Sequence, residues 1–82
     1  MFDILIVDDD YDVCQLFKHV LLQNGYNVAT ASDGKEALQL MEKEHFDLMI
    51  SDVMMPEING YELVRMIRKS NEEMPVLMIW KQ

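Results

Sequence analysis

Short apolar runs with β-branched residues alternate along this chain with stretches of helical periodicity. The runs span residues 3–8, 26–31, 46–52 and 75–80. In the run 46–52, apolar residues occupy consecutive positions, as expected of a strand that is covered on both faces. Strands that alternate with helices pair in parallel, and right-handed crossovers place the helices on both faces of the sheet. The sequence therefore predicts an α/β fold of (βα)3β type, an incomplete doubly wound parallel sheet.

The three intervening stretches carry the helices, which we expect over residues 11–24, 35–44 and 61–70. Asn24 and Gly25 close the first helix, because glycine tolerates a left-handed conformation. In the loop 53–60, Pro56 cannot lie inside a central strand, and Gly60 permits an unusual turn. The stripe of the first helix that we expect to face the core consists of Val13, Leu16, Phe17, Val20 and Leu21.

Composition limits the functions that this chain can have. Its 82 residues suffice for one domain, and a net charge of -8 argues against a nucleic-acid-binding surface, which needs clustered Lys and Arg. Cys14 is the single cysteine, so no internal disulfide forms and a reducing compartment is expected. No apolar run approaches the roughly 20 residues needed to span a bilayer. We therefore expect a cytoplasmic protein with no membrane contact and with no direct nucleic-acid binding by this segment.

Carboxylates follow two of the predicted strands. Asp8 and Asp9 end the first strand, and Asp52 ends the third. Ligands of open α/β sheets bind beyond the carboxyl ends of the strands, so these three side chains can converge on one crevice. Like charges this close need a cation to offset their repulsion, and an all-oxygen site with room for water favours Mg²⁺. Asp10 is instead interpreted as a helix N-cap.

Other metal and catalytic sites fit less well. Asp8, Asp10 and Asp12 match the start of an EF-hand loop, but Val13 occupies its glycine position and His19 its final glutamate position. The three glycines are too scattered for a phosphate-binding loop or a dinucleotide fingerprint. The pattern places no catalytic base beside Ser51, which argues against a hydrolase triad.

Three segments together resemble the receiver domains of two-component response regulators. They are "ILIVDDD", "DLMISDVMMPEINGYEL" and "MPVLMI", and the resemblance extends over the whole chain, residues 1–82. It implies a flavodoxin-like sheet with strand order 2-1-3-4. It also implies that Asp52 accepts a phosphoryl group from a sensor histidine kinase, as a phosphoacceptor signalling domain and not as an enzyme. Asp8, Asp9, Asp52 and the backbone carbonyl of Met54 would then hold Mg²⁺, with Asp9 as the more direct ligand and Asp8 acting through water.

The sequence departs from the family pattern at its C-terminal end. Trp80 stands where the family has Ser or Thr, and the lysine that ends a fifth strand has no counterpart, since Lys81 adjoins Trp80. We therefore expect a C-terminally truncated receiver with four strands and three helices. One hypothesis is a phosphoacceptor domain; the alternative is a non-catalytic receiver remnant that acts as an oligomerising module. The apolar edge "VLMIW" predicts a homo-oligomer through residues 75–82, with Trp80 buried.

Overall fold

Four strands and three helices alternate along the chain in the computed structural model, which describes residues 1–71 and 73–80. Lys81 and Gln82, part of the predicted oligomer contact, lie outside the described residues. The elements follow the predicted order, and their ends differ from the predicted ones by at most three residues. They are β1 Asp3–Val7, α1 Tyr11–Gln23, β2 Asn27–Ala31, α2 Gly34–Lys43, β3 Leu48–Asp52, α3 Gly60–Ile67 and β4 Val76–Ile79.

The strands form one parallel sheet in the order β2-β1-β3-β4, so the predicted fold class and strand order are confirmed. Val7 is in register with Ala31 of β2 and with Ser51 of β3. Asp52 is in register with Ile79 of β4. The carboxyl ends of all four strands therefore meet at one edge of the sheet.

The core consists of two apolar clusters, one on each face of the sheet. Leu5 and Val7 of β1 belong to the cluster that contains residues of α2 and α3, whereas Ile4 and Ile6 belong to the cluster on the α1 side. Successive side chains of a strand point to opposite faces, so a strand covered on both faces needs apolar residues at every position. This explains the consecutive apolar residues of "ILIV".

The predicted apolar stripe of α1 is wrong at two positions. Cys14 is buried, and Phe17 and Leu21 pack against the same cluster. Leu16 and Val20, however, are 63% and 46% exposed. Two residues along a helix rotate the side chain by about 200°, so Leu16 points nearly opposite to Cys14. The buried face is thus centred on Cys14, Phe17 and Leu21, and not on the wider stripe that the apolar residues suggest.

Side chains and one glycine define the ends of the helices. Asp10 caps α1 and accepts hydrogen bonds from the backbone N–H groups of Asp12 and Val13, in agreement with its interpretation as an N-cap. Asp33 caps α2. Gly25 follows α1 with a φ of +88°, the left-handed conformation that ends a helix at low cost. Among the described residues, no helix is long and apolar enough to cross a membrane.

The corrected orientation of α1 predicts that two leucines contribute very differently to stability. Leu63 of α3 is fully buried, whereas the side chain of Leu16 lies mostly in solvent. Leu63→Ala should lower the free energy of unfolding by about 2–5 kcal/mol, because it leaves a cavity. Leu16→Ala should change it by about 0.5 kcal/mol or less. Urea denaturation followed by circular dichroism measures both; similar losses for the two variants would contradict this orientation of α1.

Candidate metal centre

Three carboxylates meet at the carboxyl edge of the sheet. One ligand oxygen from each of Asp8, Asp9 and Asp52 lies within 4.8 Å of the others. The pairing of β1 with β3 causes this, because Val7 and Ser51 are in register and the next residue of each strand is an aspartate. The structure thus brings together the three side chains that the sequence singled out.

The three carboxylates differ in their exposure to solvent. Asp8 and Asp52 are 3% and 2% exposed, whereas Asp9 is exposed. Burial of like charges near one another costs free energy unless hydrogen bonds or a counter-ion compensate. The site therefore has a buried floor of two acids and an open side at Asp9, through which a ligand can enter.

The turn from β1 to α1 holds Asp8 through several hydrogen bonds. Its backbone N–H donates to the carbonyl of Ala31 over 3.0 Å, which continues the pairing with β2. Its Oδ1 accepts from the backbone N–H of Asp10 over 2.9 Å. The Cys14 thiol donates to the Asp8 carbonyl over 3.3 Å. Cys14 lies four residues after the N-cap Asp10, and this spacing was the sequence signal that it faces the turn.

Asp52 is held by the loop that follows β3. The backbone N–H of Met54 donates to Asp52 Oδ1 over 3.2 Å, and the N–H of Val53 donates to the Ile79 carbonyl over 3.0 Å. Met54 therefore contacts the site through its amide, while its side chain is 60% exposed. The role of the Met54 carbonyl as a metal ligand stays a prediction.

Gly60 lies against the backbone of Asp52. A Cβ at this position would lie 2.5 Å from the Asp52 carbonyl oxygen and 2.5 Å from the Met78 Cε. The N–H of Gly60 donates to the Val53 carbonyl over 2.9 Å. We expected Gly60 to permit an unusual turn, but it is the first residue of α3, and the positive φ of this loop occurs at Glu57. Glycine is needed here because there is no room for a side chain.

The surroundings leave space beside the acidic cluster. A cavity of about 280 Å³ is bordered by Asp8, Asp9, Tyr11, Cys14, Gln15, Thr30, Ala31, Ser32 and Glu36. A larger cavity of about 580 Å³ lies between the C-terminal ends of α2 and α3, at the opposite edge of the sheet. Trp80 directly follows the residue that pairs with Asp52 and is 66% exposed.

The arrangement of donors fits a hard divalent cation. All three side chains offer carboxylate oxygens within mutual reach, and hard cations such as Mg²⁺ bind one or two carboxylates while retaining water. The exposure of Asp9 leaves room for that water. The residues present therefore fit Mg²⁺, and the assignment of Asp8, Asp9 and Asp52 as its ligands remains a prediction.

Comparison with known families gives a match over most of the chain. Residues 4–81 match the model of the response regulator receiver domain. The chain is 42% identical over 76 residues to the alkaline phosphatase synthesis transcriptional regulatory protein PhoP of Bacillus subtilis. It is 41% identical over 76 residues to the response regulator MprA of Mycolicibacterium vanbaalenii. These matches cover 93% of this chain but 32% and 33% of the relatives, so the chain spans about a third of their length.

Solved structures show the same similarity. The chemotaxis protein CheY4 of Vibrio cholerae superposes with a TM-score of 0.93 at 42% identity, over 95% of this chain and 67% of that one. The response regulator TrrA of Thermotoga maritima, solved in complex with Mg(2+)-BeF, superposes with a TM-score of 0.92 at 36% identity, over 98% of this chain and 70% of that one. Both similarities extend over the elements that carry the three aspartates.

The tight packing of Gly60 predicts a large effect of a single methyl group. Gly60→Ala should lower the free energy of unfolding by about 2 kcal/mol or more. The new Cβ would clash with the Asp52 carbonyl oxygen, so the backbone at Asp52 or at Gly60 would have to move. Gly34→Ala is the matched control at the first residue of α2, where the Cβ would meet only the Ile58 side chain at 3.1 Å. Since alanine favours helix, Gly34→Ala should stay within about 1 kcal/mol of the parent. Equal effects in thermal unfolding would refute the steric account of Gly60.

Proposed function

The chain belongs to the response regulator receiver family, a class of signalling domains, and we propose that its Asp52 accepts a phosphoryl group from a histidine of a sensor kinase. The observation that carries the proposal is the convergence of Asp8, Asp9 and Asp52 within 4.8 Å at the carboxyl edge of the sheet. The CheY-like fold supports it, because ligands of open parallel sheets bind beyond the carboxyl ends of the strands.

In the proposed reaction a carboxylate oxygen of Asp52 attacks the phosphorus of a phosphohistidine. The new O–P bond forms as the P–N bond breaks, and the imidazole nitrogen leaves with the electron pair. Asp52 becomes an acyl phosphate. Phosphoryl transfer depends mostly on positioning and on neutralising charge. The hydrogen bond from the Met54 amide to Asp52 Oδ1 and the pairing of Val53 with Ile79 fix the nucleophile at the strand end.

The other two acids would hold the divalent ion. Bound Mg²⁺ supplies positive charge that offsets the repulsion between phosphoryl oxygens and the carboxylates. We assign the direct contact to Asp9, the exposed member of the cluster, and a contact through a bound water to the buried Asp8. The Met54 carbonyl completes the proposed ligand set. TrrA, which has a similar fold, was solved in complex with Mg(2+)-BeF, and this supports a metal site in the present chain.

Phosphorylation of Asp52 can be tested with a small donor and no kinase. Incubation with acetyl phosphate and Mg²⁺ should add one phosphoryl group to the chain by intact-mass measurement, and Asp52→Asn should add none, because the amide is not a nucleophile. Asp9→Asn should raise the Mg²⁺ concentration needed by about tenfold, since one anionic ligand is lost.

The matched control is Asp12→Asn, which removes an exposed carboxylate in the first turn of α1, outside the acidic cluster. This variant should accept the phosphoryl group as the parent does. A phosphoryl group mapped to Asp8 or Asp9 would overturn the assignment of Asp52. No phosphoryl group on the parent chain would favour the alternative considered next.

The alternative is a non-catalytic module that associates with a second copy. Among the described residues, β4 pairs only with β3, and Pro75 and Ile79 turn their carbonyls toward that strand. The backbone N–H and C=O groups of successive residues in a strand point to opposite sides, so those of Val76 and Met78 point to the outer edge. Leu77 is 55% exposed on the same strand. An apolar strand edge favours pairing with another chain, and two copies of β4 could pair about a two-fold axis.

Sedimentation equilibrium of the 82-residue chain tests this alternative. We predict a dimer or higher oligomer at micromolar concentration, with a blue-shifted Trp80 emission as its indole becomes buried. Leu77→Lys should produce monomers, because a charge on the strand opposes pairing. Leu22→Lys is the matched control: Leu22 is similarly exposed, at 47%, but belongs to α1. A monomeric parent with a solvent-exposed tryptophan would exclude self-association through β4.

A further inference from the structure

The loop between β3 and α3 contains a strained backbone turn. Glu57 has a φ of +65° and is the one non-glycine residue with positive φ in the described part of the chain. The N–H of Ile58 donates to the carbonyl of Pro56 over 2.8 Å, a hydrogen bond that spans three residues. A three-residue bond with positive φ at its centre defines the rare γ-turn. For glutamate this conformation is unfavourable, so the surroundings must hold it.

Contacts on both sides of Glu57 hold the turn. On its C-terminal side, the Ile58 side chain packs on Gly34, where an added Cβ would lie 3.1 Å from it. Asn59 and Glu62 then form a reciprocal capping box that starts α3. On its N-terminal side, Met54 donates to Asp52 Oδ1 over 3.2 Å. The strained residue therefore lies between two fixed ends.

The fixed ends meet at Asp52. The N–H of Gly60 donates to the Val53 carbonyl over 2.9 Å, which closes residues 54–59 into a loop. Gly60 also packs on the Asp52 carbonyl oxygen. A change in the sign of φ at Glu57 would redirect the chain inside this closed loop. Such a change would disturb the contacts of Gly60 and of the Met54 amide with the Asp52 region.

We propose that Glu57 is a positioning residue for the site through its backbone conformation, and that its carboxylate is not required. This inference rests on the proposed function, because the group that it positions is the Asp52–Met54 segment assigned there to Mg²⁺ and the phosphoryl group. The γ-turn sets the direction of the chain after Met54, so it fixes the Met54 amide on Asp52 Oδ1.

Four substitutions separate backbone conformation from charge, because each removes the carboxylate. Glu57→Gln is the reference, since its side chain has the same length and branching. Glu57→Asn and Glu57→Gly favour positive φ, and Glu57→Val opposes it because its side chain is β-branched. Mg²⁺ titration followed by amide NMR shifts should give affinities within about twofold for Gln, Asn and Gly. The Val variant should bind about fivefold more weakly or worse.

Hydrogen exchange of the Met54 amide in the absence of metal gives a second readout. Valine should make the turn less populated than glutamine does, and asparagine should make it more populated. Exchange of the Met54 amide should therefore be faster in the Val variant and slower in the Asn variant than in the Gln reference. If the Val variant does not fold, the difference in Met54 exchange between the Asn variant and the Gln reference tests the proposal.

The outcomes distinguish this inference from a purely structural role of the turn. A structural role predicts lower stability for the Val variant but unchanged Mg²⁺ affinity and Met54 exchange in the folded protein, and that result would overturn the inference. Weaker binding by the Gln variant than by the parent, with no difference among the four, would also overturn it by assigning the effect to charge. Absence of Mg²⁺ binding by the parent would instead contradict the proposed function, while Met54 exchange would still test the turn.

Discussion

The parallel pairing of β1 with β3 determines where the charge of this protein is concentrated. The register that matches Val7 with Ser51 sets two strand ends side by side, and each strand is followed or ended by aspartate. Asp8 and Asp52 are buried by the same apolar packing that stabilises the sheet, so they cannot separate without disrupting the core. Their proximity is a consequence of the fold, and a bound cation would offset the repulsion between two charged carboxylates.

Much of this architecture could be predicted from the sequence because it depends on local patterns. A strand covered on both faces requires consecutive apolar residues, and "ILIV" and "LMI" have them. An aspartate placed just before a helical stretch predicts an N-cap, as found for Asp10. The convergence of the three acids followed from the general rule that ligands bind at the carboxyl ends of parallel strands. Strand order came from the resemblance to receivers, and the sheet confirms it.

The sequence predictions that were wrong concern features that depend on contacts between distant segments of the chain. The face of α1 that meets the sheet is chosen by packing against Ile4, Ile6 and Ile50, and the apolar pattern of the helix alone does not specify it. Gly60 follows a loop, so a turn was the natural interpretation; its actual constraint is the Asp52 carbonyl, which lies eight residues earlier in the chain. Nothing in the sequence marks Glu57 for a positive φ, because glutamate has no preference for that conformation.

The β3–α3 loop combines two requirements that usually conflict. Under the proposed function it must hold Asp52 precisely, yet it must leave a path for a phosphoryl group and a metal ion. A short loop made rigid by bulky side chains would cover the site. Here the rigidity comes from backbone features: a γ-turn at Glu57, the absent side chain of Gly60 and the Met54 amide on Asp52 Oδ1. The side chains of Met54 and Glu57 remain exposed, so the loop is fixed from within while the mouth of the site stays open.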